Sequence, residues 1–190
     1  MNPGPKGLTI VKVGGGLSAI PGALDTVGAA LTAAARRHRR ILVVPGGGRF
    51  ADAVRAFARS EPLSDDAAHW MAMLGMEQYA HVLAERIPAP LVEEPGAIPS
   101  ALAGSGVAVL APYRWMRAAD VLPHTWDATS DSVSAFVAGA LDAERLVLVK
   151  PVDGKPGSEL TDPCFDSVRP VGLRWVAVGW QRIGEVLAEE

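Results

Sequence analysis

The chain lacks several things that narrow its function. Among 190 residues there is one cysteine, Cys164, so neither an intramolecular disulfide nor a thiolate metal cluster is expected, which fits a reducing, cytoplasmic compartment. No apolar stretch approaches the roughly 20 residues of a membrane span, and no signal-peptide core follows Met1. Net charge is also scarce: Lys+Arg 18 against Asp+Glu 21 leaves -3 at pH 7, without the broad positive field that nucleic acid or an anionic membrane would need. The 49% of hydrophobic residues against 21% charged argues against disorder and for a buried core. The expectation is one domain over residues 1–190, folding alone or as a homo-oligomer.

Glycine and proline are plentiful, at 20 and 15, and part of the glycine is concentrated. Gly14-Gly15-Gly16 and Gly46-Gly47-Gly48 each follow a β-like run. Short β-branched runs alternate with longer helical patterns, which favours a parallel sheet with crossover helices. Leu8 to Val13, Ile41 to Val44, Leu91-Val92, Val107 to Leu110, Leu146 to Val149 and Trp175 to Val178 read as strands. Leu24, Val27, Ala30, Leu31 and Ala34 mark one apolar helix face. Further helices are predicted from Phe50 to Arg59, from a Ser64 cap to Arg86, and from Ala135 to Leu141. On the long one, Trp70, Met73, Leu74, Glu77 and His81 share helical spacing, a pattern of core or subunit interface more than of a metal site. The basic run Arg36-Arg37-His38-Arg39-Arg40 reads as cations at a helix C-terminus rather than as an RNA patch.

Four clusters carry chemistry. In Lys12-Val13-Gly14-Gly15-Gly16, glycines at the carboxyl end of a strand let backbone N–H groups approach an anion, and Lys12 adds a full charge. The run is neither a Walker A loop nor a dinucleotide fingerprint. Pro45-Gly46-Gly47-Gly48-Arg49 repeats the arrangement at a second strand end, so two anionic groups can face each other across the crevice there, with Arg49 as a bidentate ligand. In Trp126-Asp127-Ala128-Thr129-Ser130-Asp131-Ser132, two carboxylates four apart come together if the segment is helical; they can cap the helix, hold Mg²⁺ or orient a lysine. Lys150, leaving a buried strand before Pro151-Val152-Asp153-Gly154, is either a solvated boundary residue or a phosphate ligand. The Pro/Gly-rich stretch 151–163 reads as a surface loop beside the site.

Taken in order, these four motifs resemble the amino acid kinase (aspartokinase/uridylate kinase) superfamily over residues 8–163. Leu122-Pro123-His124-Thr125-Trp126-Asp127 and Pro112-Tyr113-Arg114 resemble the short branch that includes the methanofuran-biosynthesis kinase. The resemblance implies a three-layer αβα sandwich around a mainly parallel sheet, ATP with Mg²⁺, and in-line transfer to a small phosphorylated or carboxylate acceptor, favouring phosphomonoester to diphosphate. It implies that Lys12 and Gly14, Gly15 and Gly16 stabilise the transferring phosphoryl group and that Asp131 organises the lysines. Lys150, Asp153 and Gly154 would lie at the nucleotide, and Gly46, Gly47 and Gly48, with Trp126, Asp127 and Ser130, at the acceptor. Mg²⁺ would ride on the ATP phosphates, with Asp131 as its one candidate protein ligand. Two departures stand out: Gly16 occupies a position where relatives carry serine, leaving Ser18 as the nearest hydroxyl, and no lysine follows Lys155. They keep open a weak or inactive nucleotide- or oxyanion-binding homologue; uridylate kinase proper is the third reading.

Overall fold

The computed structural model describes residues 7–37, 39–152 and 160–189. Six strands form one sheet in the order β3-β4-β2-β1-β5-β6, every neighbouring pair parallel. They are β1 (Leu8–Val13), β2 (Arg40–Pro45), β3 (Leu91–Val92), β4 (Val107–Leu110), β5 (Arg145–Lys150) and β6 (Arg174–Gly179). The near-continuous apolar runs of β1, β2 and β5 follow from helices covering both faces of a parallel sheet.

Side-chain alternation along the strands divides the interior into two cores. Leu8 and Ile10 of β1, Leu42 and Val44 of β2, and Leu146 and Leu148 of β5 face one layer of helices. Val11, Val13, Ile41, Val43, Val147 and Val149 face the other. The first layer contains α4 (Ile98–Ser105), α5 (Tyr113–Ala119), α6 (Ser130–Ala140) and the short α7 (Phe165–Val168); the second contains α1 (Ala23–Arg36) and α8 (Ile183–Ala188). The long helix α3 (Asp65–Arg86) serves both, with Trp70, Met73 and Met76 in the first core and Tyr79, Ala80 and Leu83 in the second. Its Ser64 cap accepts a hydrogen bond from the Ala67 N–H at 3.2 Å. Helix α2 (Gly48–Ser60) lies across α3 so closely that a side chain on Gly75 would meet the Ala51 nitrogen at 2.9 Å. The sandwich and all six strands match the sequence reading.

The face predicted on α3 divides. Trp70 and Met73 are core, Glu77 accepts the Tyr113 backbone N–H at 2.8 Å, and Leu74 and His81 are exposed. Arg36 ends α1 and Arg39 donates to the Glu189 carbonyl at 3.2 Å, as expected of cations near a helix C-terminus; His38 lies outside the described residues. Among the described residues no helix is long and apolar enough to cross a membrane.

Phe165 anchors α7 in the first core. It is fully buried, with its ring 4.9 Å from that of Trp175 in an edge arrangement. Phe165→Ala is expected to lower stability by about 3–5 kcal/mol, read as a fall in the urea midpoint at unchanged slope.

Candidate functional site

Alternation also fixes where the two lysines point. Lys12 continues the Leu8-Ile10 face of β1, and Lys150 continues the Leu146-Leu148 face of the adjacent β5, where Lys12 pairs with Leu148. Both therefore emerge at the carboxyl ends of neighbouring strands, on the side covered by α6. The first turn of α6 places Asp131 between them. Its Oδ1 lies 2.8 Å from Lys12 Nζ, and its Oδ2 accepts a hydrogen bond from Lys150 Nζ at 2.7 Å. Lys12 is 5% exposed and Asp131 4%.

Two ammonium groups around one carboxylate leave a net positive charge in a desolvated place. Burial by itself would raise the Asp131 carboxyl; the attraction of Lys12 and then of Lys150 outweighs it and holds the group below the ordinary carboxylate range. Burial, and then Lys12, lowers Lys150 from the usual lysine value against the pull of Asp131. With both oxygens of Asp131 engaged by lysines, this carboxylate does not fit a magnesium ligand. Among the described residues no group of three His, Cys, Asp or Glu could hold a metal ion.

The glycine loops meet in front of these lysines. Gly14 N–H donates to the Val149 carbonyl at 3.0 Å and Gly46 N–H to the Val13 carbonyl at 2.8 Å, extending the sheet by one bond on each side of β1. Beyond them the two loops touch backbone to backbone. A Cβ on Gly15 would stand 2.0 Å from the nitrogen of Gly48, which itself has φ +55°. Gly16 is exposed, and a Cβ there would come 3.2 Å from Pro151 Cγ, a tight contact that a few tenths of an ångström would relieve. The Ser18 hydroxyl donates to the Gly15 carbonyl at 2.8 Å.

A cleft of about 200 Å³ opens from this contact, floored by Gly15, Gly16, Gly47 and Gly48. Its walls are α2, α3 and the 125–133 segment. Trp126, Met73, Met76 and Val133 are apolar; Asp52, Asp65 and His69 are polar. Burial, then the neighbouring His124, holds His69 below the ordinary imidazole value. His124 stacks on His69 at 4.4 Å and bridges Asp66 and Asp120, each at 2.8 Å, tying the 120–130 segment to α3. Trp126 carries the Arg55 guanidinium over its ring at 4.7 Å.

Of the residues singled out in the sequence, the structure brings together Lys12, Asp131 and Lys150. It places Gly15, Gly16, Gly47, Gly48, Trp126 and Ser130 on the cleft, with Gly14 and Gly46 behind it. Arg49 is exposed on the first turn of α2 and does not line the cleft; Arg55, nearly two turns on, does. Asp127 lies in the turn before α6, exposed, so it does not share a helical face with Asp131. Asp153 and Gly154 lie outside the described residues. A carboxylate missed in the sequence is Asp162. Its Oδ2 accepts from Thr129 N–H and Oγ1, both at 2.8 Å, and from Ser132 N–H at 3.0 Å, while Oδ1 accepts from the Ser132 hydroxyl. Only its Leu-Thr-Asp-Pro setting marks it in the sequence.

Glycine loops and a lysine pair gathered at the carboxyl ends of a parallel sheet between two helical layers define an α/β domain with its site at the strand ends. The chain belongs to the amino acid kinase family, whose model matches residues 7–154. It is 28% identical over 145 residues, 76% of this chain, to [5-(aminomethyl)furan-3-yl]methyl phosphate kinase of Methanocaldococcus jannaschii, of which the match spans 66%. The fold is similar to uridylate kinase from Archaeoglobus fulgidus (TM-score 0.59, 16% identity, 80% of this chain and 69% of that one). It is also similar to aspartate kinase from Synechocystis (TM-score 0.64, 15% identity, 91% and 38%).

Removing Asp131 would leave the buried Lys12 ammonium and the partly buried Lys150 ammonium without their shared counter-charge. Asp131→Asn is expected to cost about 3–5 kcal/mol near neutral pH. Because the folded carboxyl titrates below the unfolded value of about 3.9, its stabilisation is complete above roughly pH 4 and disappears as pH falls through the folded value. Urea unfolding of both proteins at pH 7 and pH 3 should show the gap narrowing at the lower pH.

Proposed function

We propose that the chain is an ATP-dependent small-molecule kinase that converts a phosphomonoester to a diphosphate. The observation that carries this reading is the Lys12–Asp131–Lys150 cluster at the strand ends, with Lys12 Nζ beside Gly14 of the first glycine loop. Such a centre favours an anion whose negative charge is concentrated and shared between donor and acceptor. The match to the aminomethylfuran phosphate kinase supports a related acceptor in methanofuran-type cofactor synthesis.

The chemistry asks little of the protein beyond placement and charge. A phosphomonoester is largely dianionic near pH 7, so its oxygen attacks the γ-phosphorus without a general base. The bond from that phosphorus to the β,γ-bridging oxygen breaks, and ADP leaves. Lys12 and Lys150 neutralise the charge moving between the two oxygens, and the backbone N–H groups of Gly15, Gly16, Gly47 and Gly48 hold the phosphates on either side. Asp131 keeps the two ammonium groups at a fixed separation. Mg²⁺, when present, would come bound to the ATP phosphates and supply further charge neutralisation.

The cleft walls suit the rest of such an acceptor. Trp126, Met73, Met76 and Val133 fit a flat apolar ring, and Asp65 with a neutral His69 offers acceptors to an ammonium group at the end away from the glycines. Self-association belongs to the same reading, supported by the exposed Phe50 and Phe57 of α2 and Leu74 of α3, and sedimentation velocity measures it.

An ADP-release assay over amine-bearing phosphomonoesters, amine-free analogues and UMP tests the function. Turnover should be best with an amine-bearing aromatic phosphomonoester and should fall by about 10²–10³-fold in Lys12→Ala. Tight ATP binding by calorimetry without transfer to any acceptor would instead establish a non-catalytic binder, and preferred turnover of UMP a uridylate kinase.

A further inference from the structure

We infer that Asp162 is a positioning residue for phosphoryl transfer: it fixes the first turn of α6 so that Asp131 stays between Lys12 and Lys150. The inference rests on the kinase reading above, although its geometry is independent of the acceptor.

Four donors converge on this one carboxylate, and all belong to Thr129 and Ser132, the residues that bracket Ser130 and Asp131. The first N–H groups of a helix have no partner within the helix. Here the N–H groups of Thr129 and Ser132 are satisfied by a side chain 33 and 30 residues downstream, in the position where a helix N-terminus favours negative charge. Two hydroxyls hold the same carboxylate from the flanks. With both sides of Asp131 pinned, the turn cannot rotate about the helix axis, and an aspartate side chain is too short to compensate for backbone drift. The Oδ1 and Oδ2 contacts at 2.8 and 2.7 Å depend on that backbone.

Asp162 is itself held from outside the site. Three residues later Phe165 is sunk in the first core, and between them the Cys164 N–H donates to the Asp127 carbonyl at 3.3 Å. The chain between β5 and α7 thus approaches Asp131 twice. At its start Lys150 grips the carboxylate, and near its end Asp162 aligns the turn that presents it. Asp162 makes no hydrogen bond or ion pair to either lysine among those found in the structure; its charge acts on Lys150 through space, and its contacts act through the turn that carries Asp131.

The experiment compares Asp162→Asn, the milder Ser132→Ala, and Asp131→Asn combined with Asp162→Asn. Misplacing a charge-positioning group by about an ångström costs on the order of 100-fold. Asp162→Asn should therefore lower kcat by about 10–100-fold, with the acceptor KM within about twofold, and Ser132→Ala by a few-fold in the same direction. In the Asp131→Asn background the second substitution should add less than about twofold, because both act on one arrangement. Competitive acetylation with acetic anhydride, read by mass spectrometry against Lys6, needs no turnover: Lys12 and Lys150 should label several-fold faster in Asp162→Asn and Ser132→Ala. Because loss of the Asp162 charge also acts directly on Lys150, Lys12 decides: its unchanged labelling in both variants, or full additivity of the kcat losses, would overturn the inference and leave Asp162 as a helix cap alone. Absence of turnover in the unsubstituted protein would instead remove the kinase reading, with the labelling still deciding the role of Asp162.

Discussion

Everything at the carboxyl end of the sheet depends on one carboxylate serving two lysines. Burying three charges with a surplus of one is costly, and the arrangement persists because each partner is supplied by a rigid element: Lys12 by β1, Lys150 by β5, Asp131 by the first turn of α6. Strand adjacency sets the spacing of the lysines, the two-residue period sets their common side, and α6 covering that side sets where the carboxylate arrives. Slip β1 by one residue against β5 and Lys12 would turn to the opposite face beside Val147 and Val149, away from Lys150 and Asp131.

Around that centre the two functions of the site are kept on separate parts of the chain. Charge is handled by the strand ends and α6. Shape is handled by α2, α3 and the 125–133 segment, which carry most of the side chains of the cleft. The segment is tied to α3 through the His124 bridge and to α2 through Arg55 over Trp126, so its position follows from contacts remote from the lysines. His69 and Asp65 line the cleft without touching the lysine pair, so the cleft walls and the charge centre are built from separate residues.

The sequence carried much of this in plain view, and what it hid was hidden for physical reasons. Strands announced themselves because burial on both faces demands near-continuous apolar runs, and Lys12 and Lys150 stood out as lysines at the carboxyl ends of two of them. Helices α4, α5, α7 and α8 escaped because none exceeds eight residues, too short for apolar periodicity to show, and α4 and α5 are further masked by Gly106 and by Pro112 and Asp120 at their ends. Proximity in sequence misled in two places. Arg49 adjoins a glycine cluster yet points out of the first turn of α2, whereas Arg55 reaches the cleft; Asp127 precedes α6 instead of joining it. The carboxylate that does accompany Asp131, Asp162, arrives through space from 30 residues away, and no local pattern encodes such a meeting.

The contact between Gly15 and Gly48 has a consequence for how the site can diversify. Where two loops are separated by side chains, substitution can widen or narrow the gap between them by a rotamer or a methylene. Here nothing but main-chain atoms intervenes, so the distance from the end of β1 to the start of α2 is set by van der Waals radii common to every amino acid. That span is a dimension of the site that point mutation cannot tune gradually: it is either kept, with glycine on both sides, or broken.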